Sequence, residues 1–154
     1  MTVTENCVGC GRCLGACNFD AIDFARRGAN ADLNRRMAEY AKAVVYGRPS
    51  FHVNIVVDVS PNCDCHSGND APMLPDIGMF ASFDPLAVDQ ACADACNNMP
   101  VLADSQLADN LATPGFCACG DHFTDSAPVT HWQSALEHGE KIGLGTREYE
   151  LVKV

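Results

Sequence analysis

Four cysteines near the start of the sequence have the spacing of iron–sulfur ligands. They lie in ENCVGCGRCLGACNFDAI, residues 5 to 22, as C-x2-C-x2-C-x3-C at Cys7, Cys10, Cys13 and Cys17. Three thiolates on one tightly wound loop can reach three irons of a [4Fe-4S] cluster, while the fourth ligates that cluster or another. The spacing therefore predicts at least one [4Fe-4S] cluster, with two clusters as an option and structural zinc as the alternative.

Two further cysteines, Cys63 and Cys65, lie in a segment that is unsuited to a regular helix or strand. The run PNCDCHSGNDAPMLPDIG, residues 61 to 78, is crowded with Pro, Gly, Asn and Asp, which favour turns. A core thiol does not need such a polar loop around it. We therefore expect these cysteines to be ligands of the first cluster or of a second centre, with a redox-active or zinc-binding pair as the alternative.

The other four cysteines form two pairs with different spacings. Cys92 and Cys96 are four residues apart in a predicted helix, which places both thiols on one face. They are either ligands or core residues, since a buried free cysteine packs as a small hydrophobe. Cys117 and Cys119 repeat the C-x-C spacing in GFCACGDHF. Together with the pair in the polar loop they would make a chemically reasonable four-cysteine zinc site.

The acidic composition limits the possible partners. The chain of 154 residues has 10 Lys and Arg against 20 Asp and Glu, a formal net charge of −10. This charge repels nucleic acid and anionic membranes; it favours a partner with a basic surface, or reflects an acidic solvated surface alone. The start MTVTENCVGC shows no secretory signal, and no apolar run approaches the ~20 residues of a membrane-spanning helix. We therefore expect a cytoplasmic protein with reduced cysteines.

The order of the predicted elements divides the chain in two. Residues 1–30 are predicted to form a small ferredoxin-like module, joined to an α/β (or α+β) domain over 31–154 with few strands and three main helices. The helices are predicted within 33–47, 85–99 and 130–143, and the strands within 50–60, 79–83 and 147–154. The stretch 101–129 is expected to be mostly irregular.

Two of these elements have a clear apolar side. In the first helix the apolar residues recur at helical spacing, as Met37, Tyr40, Ala41, Val44 and Val45. In the first strand they alternate with a period of two, which separates Phe51, Val53, Ile55, Val57 and Val59 from His52, Asn54 and Asp58. The two periods predict an amphipathic helix followed by a strand.

Residues 5–22 resemble the cluster-binding segment of bacterial-type ferredoxins. Asn18 stands where a proline usually follows the fourth cysteine of that segment. In two-cluster ferredoxins the fourth cysteine ligates the other cluster, to which a second run contributes. This chain has no second run of the kind, so its fourth cysteine either completes the first cluster or serves a second site.

Three longer segments resemble the C-terminal half of a family of uncharacterised iron–sulfur-centre proteins, described as a domain of unknown function. They are RRMAEYAKAVV, VSPNCDCHSGNDAPMLPDIGMFASFDPLAVDQACAD and EKIGLGTREYEL. The resemblance implies an α/β domain interrupted by a ferredoxin-type insert with two cysteine runs, of which this chain begins at the second. It therefore implies a short paralogue, a subunit completed by another chain, or a C-terminal fragment.

The cysteine run and the resemblance lead to one expected function. We expect an electron-transfer protein that carries at least one [4Fe-4S] cluster and exchanges electrons with a partner oxidoreductase, as a carrier or subunit and not as a catalyst. The sequence contains no Ser-His-Asp order, phosphate-binding glycine loop or H-E-x-x-H pattern that would predict a catalytic residue. The alternatives are a redox enzyme or metal or cluster maturation factor that uses the Cys63 and Cys65 loop, and a zinc-stabilised interaction subunit.

Overall fold

The computed structural model describes residues 13, 16–19, 21, 29–62 and 69–154. Over residues 29–154 the described chain forms five helices and a two-stranded antiparallel sheet, which is an α+β arrangement. The elements are α1 (Ala29–Val45), β1 (His52–Val56), β2 (Gly78–Ser82), α2 (Pro85–Asn97), α3 (Gln106–Ala112), α4 (His122–Ser126) and α5 (Gln133–Lys141). The predicted mixed fold is confirmed, whereas the predicted module over 1–30 lies almost wholly outside the described residues.

The three longest helices are the three main helices that the sequence predicts. They are α1 with 17 residues, α2 with 13 and α5 with 9. The start of α2 is set locally, because Asp84 accepts hydrogen bonds from the backbone N–H groups of Leu86 at 2.9 Å and Ala87 at 3.1 Å. Pro85 occupies the first helical position, where its missing N–H leaves no hydrogen bond unmade.

Two short helices interrupt the stretch that the sequence predicts to be irregular. α3 has 7 residues and begins after Ser105, whose hydroxyl accepts from the backbone of Ala108 at 3.3 Å. α4 has 5 residues and begins after Asp121. The stretch 101–129 is mostly irregular, as expected, but the sequence did not predict these two helices. Helices of one or two turns contain too few apolar positions to show a period.

The core lies between α2 and the inner side of the sheet. Its buried members are Val56, Met73, Leu74, Val88, Cys92, Cys96 and Leu107. Seven of the 13 residues of α2 are buried, more than in any other described helix. α2 is therefore the element against which the sheet and the connecting loops are held.

α1 packs against α5 with a face that is mostly polar. The side chain of Asn34 donates a hydrogen bond to the carbonyl of His131 at 2.7 Å. Glu39 lies 3.1 Å from a ring nitrogen of His138, and Ala38 is buried between the helices, where its small side chain allows close approach. The contact between the two helices thus relies on hydrogen bonds as much as on apolar burial.

The apolar side of α1 points away from this contact. Met37, Tyr40 and Val44 are 60%, 74% and 65% exposed. The predicted helix is confirmed, but most of the side chains that defined its apolar face are exposed; among them Val45 is half-buried. An amphipathic helix normally turns that face to a core, and here the described part of the chain provides no core for it.

β1 and β2 pair in antiparallel register, from His52 opposite Ser82 to Val56 opposite Gly78. The predicted alternation in β1 is confirmed. The polar side of β1 faces α2, where Asn54 donates to a carboxylate oxygen of Asp89 at 2.7 Å. The apolar side faces outward and is exposed in both strands, at Phe51, Val53, Ile55, Val57, Met79 and Phe83.

The last residues of the chain do not form the predicted strand. Residues 147–154 contain no strand, and Leu151, Val152 and Val154 are exposed. The tail lies beside α2, because the Tyr149 hydroxyl donates to Asp94 at 2.8 Å. A β-strand needs a neighbouring strand edge, which a helix does not offer, so the prediction is wrong. No helix in the described ranges is long and apolar enough to cross a membrane.

Candidate functional site

The first cysteine run is only partly described. Cys13 is exposed and Cys17 is half-buried, whereas Cys7 and Cys10 lie outside the described residues. The donor set of the run consists of thiolates alone, which is the ligand chemistry that [4Fe-4S] clusters require. Neither of the two described thiols is sealed inside an apolar core. The thiols of the run therefore fit an iron–sulfur cluster in their chemistry, and the two described ones are not buried.

The loop that contains Cys63 and Cys65 has a fixed base. Residues 63–68 lie outside the described residues, but the residues on either side of them are hydrogen-bonded to each other. The side-chain oxygen of Asn69 accepts from the backbone N–H of Asn62 at 3.2 Å. Its side-chain nitrogen donates to the carbonyl of Asn62 at 3.0 Å and to the hydroxyl of Ser60 at 2.9 Å. A single amide thus joins the two ends of the loop.

The base of this loop is anchored in the core. The backbone N–H of Met73 donates to the carbonyl of Val59 at 2.7 Å, and Met73 accepts in turn from Leu102 at 2.8 Å. Met73 is almost fully buried. The described residues on either side of the two predicted ligands are therefore hydrogen-bonded to each other and to the core. Sequence reasoning missed the role of Asn69, although asparagine in a turn often binds neighbouring backbone groups in this way.

Cys92 and Cys96 lie on one face of α2, as their spacing predicts, and both are buried in the core. Burial raises the pKa of the Cys92 thiol. Burial, followed by the proximity of Cys92, raises the pKa of Cys96 to about 11. Both thiols are therefore protonated at neutral pH, whereas metal ligation requires thiolates. The arrangement favours the packing interpretation, and ligation by this pair stays a prediction.

Cys117 and Cys119 are exposed on a loop that a buried carboxylate shapes. Asp125 accepts hydrogen bonds from the backbone N–H groups of Cys119 at 2.8 Å and Gly120 at 3.0 Å. Burial alone would raise the pKa of Asp125, but these hydrogen bonds outweigh it and lower that pKa. Gly120 has a φ of 82°, which glycine adopts without strain. The loop presents both thiols to solvent in a defined backbone conformation.

Two aspartates, Asp121 and Asp125, shift the pKa of the Cys119 thiol. A backbone hydrogen bond at Asp121 lowers its pKa, but the hydrogen bond to Asp125 and the charges of both carboxylates raise it, and the net shift is upward. Asp121 also accepts from the Trp132 indole nitrogen at 2.7 Å and from the side chain of Gln133 at 2.6 Å. These contacts tie the loop to the start of α5.

His122 joins the exposed loop to the end of α2. Its backbone N–H donates to the side chain of Asn97 at 2.8 Å, and its Nδ1 lies 3.1 Å from the carbonyl oxygen of Cys96. The contact involves the backbone of Cys96 and not its thiol. The structure thus brings the Cys117 and Cys119 loop next to the helix that holds the buried pair, without bringing the four thiols together.

Within the described parts of the chain, no group of three or more His, Cys, Asp or Glu side chains is arranged to hold a metal ion. Cys63 and Cys65 belong to residues that the structure does not describe, so the predicted four-cysteine zinc site stays a prediction. The supporting residues Asp121, Asp125 and Trp132 were not identified from the sequence. One local signal was present in the sequence: Asp121 directly precedes His122, and aspartate is a favoured N-cap residue at the start of a helix.

The family described as Domain of unknown function (DUF362) matches the chain over residues 5–94. The matched range contains the first cysteine run, α1, both strands and most of α2. It also contains the loop base formed by Asn62 and Asn69. No curated protein and no solved structure matches the chain.

Proposed function

The chain belongs to the family described as Domain of unknown function (DUF362), and on this premise we propose that it is an iron–sulfur electron-transfer protein. The observation that carries the proposal is the C-x2-C-x2-C-x3-C run, which lies inside the matched range 5–94. Such a run of thiolates is typical of [4Fe-4S] ligation. The chain then acts as a carrier or subunit, because electron transfer needs no general acid or base.

The roles of the residues follow from their chemistry. Cys7, Cys10, Cys13 and Cys17 hold the cluster, which accepts and releases single electrons when bound. Cys63 and Cys65 supply further ligands from the loop whose ends Asn69 joins, for the same cluster or for a second one. The fixed base limits the positions that these two thiols can reach, which lowers the entropy lost on ligation.

The redox partner is an oxidoreductase, or a subunit of one. The formal net charge of −10 favours a partner with a basic docking surface, because opposite charges accelerate association and orient the encounter. The rate of electron exchange should therefore fall as the ionic strength rises, since exposed charges are screened by salt.

The proposal is tested with a pair of cysteine variants that differ only in position. Protein is purified without oxygen, reduced with dithionite and examined by EPR spectroscopy. In the Cys13→Ser variant we expect most of the cluster signal to be lost, because a hydroxyl is a poor replacement for a thiolate ligand. The matched Cys117→Ser variant should retain the signal. Wild-type protein that contains zinc and no iron would support the interaction subunit instead.

A second candidate function is a redox enzyme or a metal or cluster maturation factor. It is favoured by the rigid base of the Cys63 and Cys65 loop, because a reactive dithiol also gains from a fixed support. A Cys63→Ser, Cys65→Ser double variant separates the two roles. Lost iron identifies the pair as ligands, whereas unchanged iron content refutes ligation and leaves the pair available for chemistry of its own.

A further inference from the structure

The outer edge of β1 pairs with no described strand. β1 pairs with β2 on one side only, and the described chain contains no third strand. A groove of about 470 Å³ runs along the other side of β1. Its two walls are β1 and α2, and Phe123 and Trp132 also line it.

The backbone of β1 forms one wall of this groove. The five consecutive residues 53–57 all line it, although the side chains of a strand point alternately to opposite faces. Five consecutive residues can therefore line the same groove only through the backbone edge of the strand. In an antiparallel pair about half of the N–H and C=O groups of each strand point away from the partner. An extended peptide chain can form hydrogen bonds with these N–H and C=O groups, whereas a small apolar molecule cannot.

The opposite wall selects the side chains of the occupant. On α2 its apolar part is formed by Cys92, Ala93 and Cys96, whose side chains are small and whose thiols are protonated. Phe123 contributes an aromatic surface and packs edge-on against Trp132, with ring centroids 5.9 Å apart. Alternate side chains of an added strand would enter this space, so they should be apolar and of moderate size.

The outer face of the sheet supports the same occupant. Val53, Ile55 and Met79 are 47%, 69% and 70% exposed. The remaining side chains of an added strand would extend this apolar face and pack beside Val53 and Ile55. A two-stranded sheet is marginal by itself, and a third strand adds both hydrogen bonds and cross-strand contacts.

The charges around the groove decide between possible occupants. Among the described residues that line the groove, Asp89 is the one with a charged side chain. Asp58 and Asp76 lie just beyond the end of β1, where Asp76 accepts a hydrogen bond from the backbone of Asp58 at 3.0 Å. A second copy of this chain would bring the same carboxylates and another net charge of −10. A strand flanked by Lys or Arg is attracted instead.

We propose that the free edge of β1 binds an extended segment of a partner protein, which adds a third strand to the sheet. The segment has alternating apolar side chains and basic residues at its ends. This mode of recognition obtains affinity from main-chain hydrogen bonds and specificity from the pockets for alternate side chains. The proposal goes beyond the cluster and does not depend on it, because none of the residues that carry it is among the proposed cluster ligands.

The test uses three synthetic peptides and the full chain. The first peptide alternates Val and Thr over six residues between pairs of lysines, the second has glutamates in place of the lysines, and the third has proline in place of the central valine. We expect the lysine peptide to bind at least about tenfold more tightly than the other two. Hydrogen exchange should slow at those amides of residues 53–57 that point away from β2 when the peptide binds.

Two variants locate the binding site. Ala93→Phe fills the groove and should weaken binding of the lysine peptide about tenfold or more, whereas Ala112→Phe, at an exposed position outside the groove, should leave binding unchanged. If Ala93→Phe does not fold, Ile55→Lys replaces it. Ile55 is exposed, and the positive charge introduced there repels the lysine peptide. Circular dichroism verifies folding in each case.

Several outcomes would overturn the proposal. Equal binding of the proline peptide would show that main-chain pairing is not involved. Equal binding of the glutamate peptide would show that the carboxylates around the groove do not select basic residues. Absence of peptide binding would refute the proposal, and sedimentation analysis showing a dimer that Ile55→Lys dissociates would assign the edge to a second copy of the chain.

Discussion

The buried cysteine pair on α2 and the exposed pair in the loop before α4 show how location controls thiol chemistry. Cys92 and Cys96 are packed in the core, and burial raises their pKa values, that of Cys96 to about 11. Cys117 and Cys119 are exposed on a loop held by Asp125. Spacing alone offered both pairs as candidate ligands. The difference shows that spacing places two thiols near each other, while the surroundings decide whether they are accessible to solvent.

The two regions are also held together by different interactions. The buried pair belongs to an apolar cluster that includes Leu107. The stability of this region therefore depends on close packing. The exposed loop depends on hydrogen bonds from Cys119 and Gly120 to a buried carboxylate. Changes to the first region should therefore act through cavities and burial, and changes to the second through polar contacts.

The largest expected effect comes from opening the core around the buried pair. Leu107 is fully buried, and Leu107→Ala should lower the free energy of unfolding by about 2–5 kcal/mol, because the surroundings cannot fill the cavity. Urea denaturation measures the loss. Leu111→Ala on the same helix is the control, since Leu111 is 41% exposed, and it should cost under about 1 kcal/mol. Equal losses would contradict the position of the core.

The next effect is an alkaline loss of stability from Cys96. The pKa of Cys96 is raised from an ordinary 9.0 to about 11 in the folded protein. The protonated thiol therefore makes its full contribution to the free energy of unfolding below pH 9, and this contribution is lost as the pH rises toward 11. Between pH 8 and 10.5 the loss should reach about 2 kcal/mol, because the unfolded chain releases the proton first. Cys96→Ala should show a loss smaller by this amount. An identical alkaline loss in the variant would refute burial of the thiol.

A smaller effect is expected in the exposed region from Asp125→Asn. The substitution replaces a charged acceptor of two backbone N–H groups and should cost about 1.5 kcal/mol at neutral pH. The pKa of Asp125 is lowered in the folded state, so its contribution is present above its ordinary value and is lost as the pH falls through the lower folded value. The variant should lack this acid-dependent loss.

The same substitution at an exposed aspartate is the matched control for Asp125→Asn. Asp70→Asn should leave the urea midpoint at neutral pH almost unchanged, because Asp70 is exposed and surface substitutions rarely exceed about 0.5 kcal/mol. If the two variants were equally stable, Asp125 would not hold the loop.

The smallest effect is expected at the exposed thiols. Cys117→Ser should change the free energy of unfolding by less than about 0.5 kcal/mol, because the side chain has few packing contacts to lose. Alkylation with iodoacetamide extends the comparison. Cys117 should react in the folded protein, whereas Cys92 and Cys96 should react only after unfolding. Rapid labelling of the buried pair in folded protein would contradict the difference between the two regions.

Local features of the sequence account for much of the fold. The Asp84-Pro85 pair predicts the start of α2, and the alternation around Val53 and Ile55 predicts β1. These features act over a few residues, so they can be read without knowledge of the tertiary structure. The cysteine run is equally local, and its proposed role comes from the chemistry of thiolates at that spacing.

Other features depend on residues that are distant in the sequence. Periodicity shows that one side of α1 is apolar, but it does not show whether anything covers Met37 or Tyr40. The tail around Leu151 has the composition of a strand but lies beside α2. The hydrogen bonds from Trp132 to Asp121 and from His122 to Asn97 form only after the loops meet. Tertiary contacts therefore decide what these residues do.

The most direct test of the central claim is the content of iron and acid-labile sulfide in protein purified without oxygen. A [4Fe-4S] cluster held by the first cysteine run predicts about four iron atoms and four sulfides per chain, and about eight of each if the downstream cysteines hold a second cluster. A chain that contained neither iron nor sulfide, and took up neither on anaerobic reconstitution, would contradict the account.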